Sequence, residues 1–223
     1  IIDDEVHLMD DLDFSSVPKV NVRYVGHTTD GTRRAFTGTL YGNNHTIRNL
    51  VILTHWANVP GRDAGLFVEL SGTVRDLFFD SSCFFLGYYA ASVSIYSYDA
   101  TYENVHSEAT ISGNTLGGLF AYVDQKATNT VRNCSFSGTM IVQAGNQPKS
   151  CRGGGVGGFS KLGSMQIDSF VFTGAIHGTS SWNHDTHLGG FIGEQSGGSA
   201  YTITNSINRG HIFGTSIQYN VYA

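Results

Sequence analysis

Several short columns recur along this chain at nearly constant spacing, and a chain with such an internal period folds as a stack of like units. Six segments share one local form: Ile47-Arg48-Asn49-Leu50, Val74-Arg75-Asp76-Leu77, Tyr102-Glu103-Asn104-Val105, Val131-Arg132-Asn133-Cys134, Ile167-Asp168-Ser169-Phe170 and Ile203-Thr204-Asn205-Ser206. Their starts are separated by 27, 28, 29, 36 and 36 residues. A second column is Gly138, Gly174 and Gly210, spaced by 36 and 36. A third is Gly65-Leu66-Phe67, Gly118-Leu119-Phe120, Gly157-Gly158-Phe159 and Gly189-Gly190-Phe191, with Ala91-Ser92-Val93 in the missing place.

The runs between these marks alternate or are β-branched and aromatic, which is strand periodicity rather than the 3.6-residue period of helical repeats. Composition agrees. The 223 residues include 28 Gly and only 3 Pro, with 14 Phe and 11 Tyr, and charged residues make up 14%. Such a chain buries a core, so it is not disordered, and it lacks the Ala, Glu, Lys and Leu content of a helical bundle. The expected fold is all-β, a parallel β-helix (solenoid) of about six to seven rungs with an irregular N-terminal cap. Residues 1–35 form that cap or entry strands, Val6, Leu8, Leu12 and Phe14 alternating well enough for a strand, and residues 36–223 form the helix as one continuous domain.

Stacked rungs place equivalent side chains about 4.8 Å apart. The expected interior columns are Val74, Val131, Ile167 and Ile203, and Phe67, Phe120, Phe159 and Phe191. Asn49, Asp76, Asn104, Asn133, Ser169 and Asn205 mark a bend, because Asn and Asp tolerate the left-handed conformation and bond neighbouring backbone. Stacked amides then ladder from rung to rung.

The stretch Phe36-Thr37-Gly38-Thr39-Leu40-Tyr41-Gly42-Asn43-Asn44-His45-Thr46-Ile47-Arg48-Asn49-Leu50 resembles the opening rung of GLUG-repeat proteins, F-x-G-x-L-x-G-N-x-H-T-I-x-N-L. The later Gly-Leu-Phe and Gly-Gly-Phe segments are similar to the signature that names that family, while Ala91-Ser92-Val93-Ser94 departs from it. The resemblance covers roughly residues 12 to 214. It implies a right-handed parallel β-helix of a secreted or surface-anchored, adhesin-type protein, and it brings no catalytic residues.

Net charge is −5 at pH 7, which argues against a nucleic-acid partner. No apolar run reaches membrane-spanning length, so no membrane insertion is expected. Three cysteines, Cys83, Cys134 and Cys151, are an odd count at spacings of neither a disulfide framework nor a zinc site, and read as buried thiols. Asp10, Asp11 and Asp13 read as a solvated acidic cap, since a calcium loop needs a wider ligand set and a turn glycine. His184, Asp185 and His187 are weak metal candidates in a loop that also carries Trp182. No cofactor is expected. Asn44-His45-Thr46 is a possible glycosylation sequon; Asn133-Cys134-Ser135 sits in the bend column and is a poorer one. Gly153 to Gly158 lacks the Lys-Ser/Thr of a phosphate loop and reads as a corner.

Polysaccharide-cleaving β-helices need several carboxylates converging on one face. Here Glu103 and Asp168 fall in a column with Arg48, Arg75, Arg132 and Thr204, the pattern of a solvated face. The leading expectation is therefore a non-enzymatic extracellular module, a stalk or adhesion surface for a protein or glycan ligand. Tyr88, Tyr89, Tyr96, Tyr98 and Tyr102 around one irregular rung suit such contact, with stacking inside the helix as the alternative. A second reading is a fibre subunit self-associating end to end, because the last rung shows no cap; a polysaccharide-active enzyme is the third.

Overall fold

The structure is a computed structural model that describes residues 3–18, 25–26, 33–54, 63–123, 125–143, 150–180, 185–198, 200–216 and 221–222. Among these no helix occurs, and every registered strand pairing is parallel. Parallel neighbours require long crossovers, and here each crossover is the rest of a rung. The chain passes through three sheets per turn and returns to the first, which is a parallel β-helix.

The first sheet runs Glu5–His7, Thr39–Arg48, Thr73–Phe79, Thr101–Ser107, Thr128–Arg132, Ser164–Asp168, Tyr201–Thr204, seven rungs in order. The second begins Val51–Leu53, Phe84–Ala91, Thr110–Gly117. From there it divides along its length, so that Thr139–Gln143 and Cys151–Gly154 both pair with Thr110–Gly117. The third runs Ala35–Phe36, Phe67–Leu70, Ser94–Ser97, Phe120–Val123, Gly157–Ser160, Ile192–Gln195.

The column that organises the interior is Val6, Leu40, Val74, Tyr102, Val131, Ile167, Ile203, each directly opposite the next. Its middle members are buried, while Val6 is 39% and Ile203 45% exposed. Ile203 is thus an end residue and not part of the buried stack. Near the start of the chain, Glu5–His7 pairs in register with Thr39–Tyr41, and Leu12–Asp13 pairs with Ile47–Arg48.

The repeat phase differs from the sequence alignment at two places. Ile47 does not stand opposite Val74; Leu40 does, and Ile47 pairs with Phe79. The register shifts between Tyr41 and His45, where Gly42, Asn43 and Asn44 occupy the corner that Asp76 turns alone. Asn43 and Asn44 both hold positive φ, 51° and 61°, and make this wider turn. Tyr41 rather than Arg48 consequently stands in the outer column, between His7 and the series Arg75, Glu103, Arg132, Asp168 and Thr204.

The phenylalanine stack is likewise split. Phe67, Ser94, Phe120, Gly157 and Ile192 share one column, and Phe159 lies two residues along, beside Tyr122. Phe191 falls one position before Ile192, its carbonyl accepting from Val156 N–H at 2.8 Å, and is only half-buried. Space decides this phase: a Cβ on Gly157 would sit 2.5 Å from Phe120 Cε2, so the Phe120 ring already fills what a side chain there would need.

Gly138 and Gly174 stack where their backbones pass so close to the preceding rung that a Cβ would strike the carbonyls of Ala109 and Gly138. Of the tyrosines read either as a contact surface or as stacking inside the helix, Tyr102 is fully buried. Its hydroxyl bonds Ser94 Oγ at 2.6 Å and Ser97 Oγ at 2.8 Å, and Ser97 donates to Asn129 Oδ1 at 2.9 Å, so the phenol is satisfied inside the core.

Candidate functional site

The six bend residues all adopt left-handed φ: Asn49 57°, Asp76 55°, Asn104 53°, Asn133 49°, Ser169 58° and Asn205 50°. Five of them mark one corner. Asn49 belongs to the next, where its Nδ2 donates to Asp13 Oδ1 at 2.8 Å and its backbone N–H to Ser82 Oγ at 2.7 Å. On the main corner Asn104 Nδ2 donates to Asp76 Oδ1 at 2.9 Å and Asn133 Nδ2 donates to Asn104 Oδ1 at 3.1 Å. At Ser169 the amide ladder stops, and Asn205 Nδ2 reaches Asp168 Oδ1 instead, at 2.8 Å. Bonds from Thr204 and Asn205 hold the Asp168 carboxyl below its ordinary value.

A different surface lies where the second sheet turns into the third. Outer positions at the end of the second sheet form the column Tyr89, Thr115, Arg152, His187. Outer positions of the third form Glu69, Tyr96, Tyr122, Phe159, Glu194. Glycine-rich corners bring the two columns together, and their rings pack: Tyr89 is 5.0 Å from Tyr122 and 5.8 Å from Tyr96, and Tyr122 is 5.1 Å from Phe159. Tyr98 stacks on Tyr96 at 6.5 Å. The Arg33 guanidinium lies 3.8 Å over the Tyr96 ring and donates to its hydroxyl at 2.8 Å. Arg152 lies 4.2 Å over Phe159 and pairs with Glu194, which is also 3.9 Å from His187 Nε2.

Burial raises the Tyr89 and Tyr96 phenols above their ordinary range, so both stay protonated donors. Tyr88 and Tyr96 are buried by their neighbours, while Tyr89, Tyr98 and Tyr122 remain half-buried and face outward. The result is a strip of aromatic edges with an arginine–glutamate pair at one end. Chemically it offers flat apolar surface to stack on, phenol donors, and a fixed cation beside a fixed anion.

The remaining sequence-derived candidates fall elsewhere. Asp11 accepts from Thr46 N–H at 2.8 Å and pairs with Arg48 at 3.1 Å and His45 at 3.4 Å. Asp13 accepts from Asn49 and from Ser15 N–H, and these bonds keep both carboxyls below the usual range. The acidic stretch therefore fastens the first rung to the second. His184 and Trp182 lie outside the described residues; His187 faces Glu194, and among the described residues no three His, Cys, Asp or Glu side chains are grouped to hold a metal ion. Asn44 is exposed, with its Oδ1 3.4 Å from Asn104 Nδ2. Cys83, Cys134 and Cys151 are unpaired and buried, and burial pushes their thiols up to about 11, 12 and 11.

Sequence reasoning located the tyrosines of one rung but missed Tyr122, Arg152 and Glu194; Phe159, read as interior, is buried, but in the column of Tyr122 and Glu194 and under the Arg152 guanidinium. Alternation within one strand could not have found them, since Tyr122 lies two residues from the fully buried Phe120 and Phe159 two from Gly157; register across rungs sets the column. Compared with family models, with curated proteins and with solved structures, the chain matches none.

Proposed function

We propose that this chain is an extracellular structural and adhesion module, a β-helix that presents a binding surface to a glycan or protein. The observation that carries this reading is the outward aromatic strip of Tyr89, Tyr98 and Tyr122, flanked by the Arg152–Glu194 pair. Tyrosine edges beside fixed charges combine area, low ordering cost and hydrogen bonding, the features enriched at recognition surfaces. The GLUG-like opening rung supports a secreted or surface-anchored setting. The test is binding to arrays of glycans and of extracellular-matrix proteins by wild type, Tyr122→Ala and Arg152→Ala. Both side chains lie on the outer face of the sheets, circular dichroism of each variant checks that the fold is kept, and each change is expected to weaken binding by about tenfold or more, the size of a hot-spot truncation. Retention of every ligand by both variants would refute the placement of the surface.

A second reading, end-to-end self-association, is favoured by the last described rung. Ile203 is 45% and Ile207 42% exposed, and Phe191, Ile192, Tyr201 and Ile203 line a hollow of about 350 Å³. Val6 and Ile203 belong to the same inward column, so another copy would continue the parallel register. Light scattering and electron micrographs over a concentration series test it. Elongated particles that Ile203→Lys shortens would support the reading, and a monomer at every concentration would end it.

A further inference from the structure

One outer column brings a serine, a histidine and an amide together in an order that the corner ladder dictates. His106 lies on the first sheet between Phe78 of the rung before and Ser135 of the rung after. At a rung spacing of about 4.8 Å, its ring reaches both its own corner and the next strand. Nδ1 is 2.9 Å from Ser135 Oγ, and Nε2 is 2.9 Å from Asn104 Oδ1.

The proton positions follow from the acceptors. The Asp76 carboxylate only accepts, so the Asn104 amide nitrogen must face it, at 2.9 Å. This turns Asn104 Oδ1 toward His106, and Asn133 Nδ2 donates to the same oxygen at 3.1 Å. An amide oxygen cannot donate, so His106 carries its proton on Nε2. Nδ1 is then a lone pair, and the Ser135 hydroxyl donates to it. Burial lowers the His106 pKa from its ordinary value, which keeps the ring in the neutral, proton-accepting form at pH 7.

We propose that Ser135 is a nucleophile toward carboxylic esters with a short, uncharged acyl group, that His106 Nδ1 is its general base, and that Asn104, oriented by Asp76, is a positioning residue. This goes beyond the binding role and uses a different part of the surface. Nucleophile, base and orienting group stand in the relation that acyl-transfer chemistry requires, recognisable by geometry and not by sequence order. Past Ser135 the same column continues to Val171 and Ile207, both exposed, a short apolar shelf along which an acyl chain lies and a charged one does not.

The step balances. Ser135 Oγ adds to the ester carbonyl carbon as its proton passes to Nδ1. Collapse of the tetrahedral adduct breaks the carbon–alkoxide bond, and the leaving alkoxide takes the proton from Nδ1, leaving acyl-Ser135. Water then adds to the acyl carbon and gives a proton to Nδ1. That proton returns to Ser135 Oγ as the carboxylic acid departs, so ester and water become acid and alcohol.

The probes are a fluorophosphonate and the p-nitrophenyl esters of butyrate and succinate, used on the intact chain. One adduct per chain, mapped to Ser135, is expected in wild type and in the neighbouring-hydroxyl control Ser137→Ala, and none in Ser135→Ala. His106→Ala is expected to slow labelling by about 100-fold, the lower end of what a positioned base supplies. Butyrate should be cleaved faster than succinate. Asn104→Gly keeps the left-handed corner and should move nitrogen-detected NMR of His106 from the pure Nε2–H form to a mixture of tautomers, alongside slower labelling. No adduct on Ser135, or an adduct whose rate His106→Ala leaves unchanged, overturns the proposal. An unaltered tautomer in Asn104→Gly overturns the role given to Asn104.

Discussion

Asn104 joins backbone strain and side-chain bonding in one residue, and two substitutions separate them. Its φ of 53° is left-handed, and its amide makes three short bonds, to Asp76, Asn133 and His106. Asn104→Gly removes the amide and leaves the backbone comfortable. At about 1 kcal/mol net per bond, the loss is about 3 kcal/mol, reduced toward 2 because the corner is partly solvated. Asn104→Ala loses the same bonds and adds a Cβ in the left-handed region, a cost of about 1–2 kcal/mol, offset by about 0.5–1 kcal/mol because alanine has less unfolded freedom than glycine. The expected order is wild type, then glycine, then alanine, with alanine below glycine by about 0.5–1 kcal/mol. For a chain of this size the glycine variant should melt about 4–12 °C below wild type. Urea denaturation and thermal melts followed by far-ultraviolet circular dichroism measure both gaps. If glycine matches wild type, the ladder contributes nothing; if alanine exceeds glycine by about 0.5–1 kcal/mol, the corner carries no backbone constraint.

Gly157→Ala should destabilise the fold by about 1–3 kcal/mol, the usual cost of overpacking, because the new Cβ meets the Phe120 ring; a melt unchanged from wild type would contradict the packing. The Asp11, Asp13 and Asp168 carboxyls have folded values below their ordinary one. Their stabilisation is therefore complete above an unfolded value of about 3.9 and fades as pH falls below it toward the folded values. Melting temperature should be level from pH 7 to 5 and drop below about pH 4, and Asp11→Asn should flatten part of that drop. The three thiols, raised to about 11, 12 and 11 by burial, should not react with a thiol-specific aromatic disulfide at pH 8 until the chain is unfolded, when all react; prompt native labelling would show that the core opens.

The repeat columns were legible because stacking repeats the same demand at every rung. A corner with positive φ calls for Asn, Asp or Gly, and an inward position of a parallel strand calls for Val, Ile or an aromatic. Residues chosen for that local reason, such as Asn104, Asn133 and Asn205, fall at the same corner in every rung that contains them. Around Glu5–His7 alternation showed strand or cap character but not the register, because the short strands Glu5–His7 and Leu12–Asp13 carry no such corner amide; the segment is held through Val6 opposite Leu40 and through Asp11 and Asp13.

Strand character, the parallel stack and the left-handed corners were thus determined by the chain's own residues, since each rests on backbone preference and local alternation. Phase between rungs was decided only in three dimensions. Whether Leu40 or Ile47 meets Val74 depends on how many residues the Gly42–Asn44 corner absorbs, and whether Phe159 or Gly157 meets Phe120 depends on which ring fills the space. The aromatic strip and the His106–Ser135 contact depend on that phase. Their members come from different sheets or successive rungs, and only stacking at about 4.8 Å brings them within reach of one another.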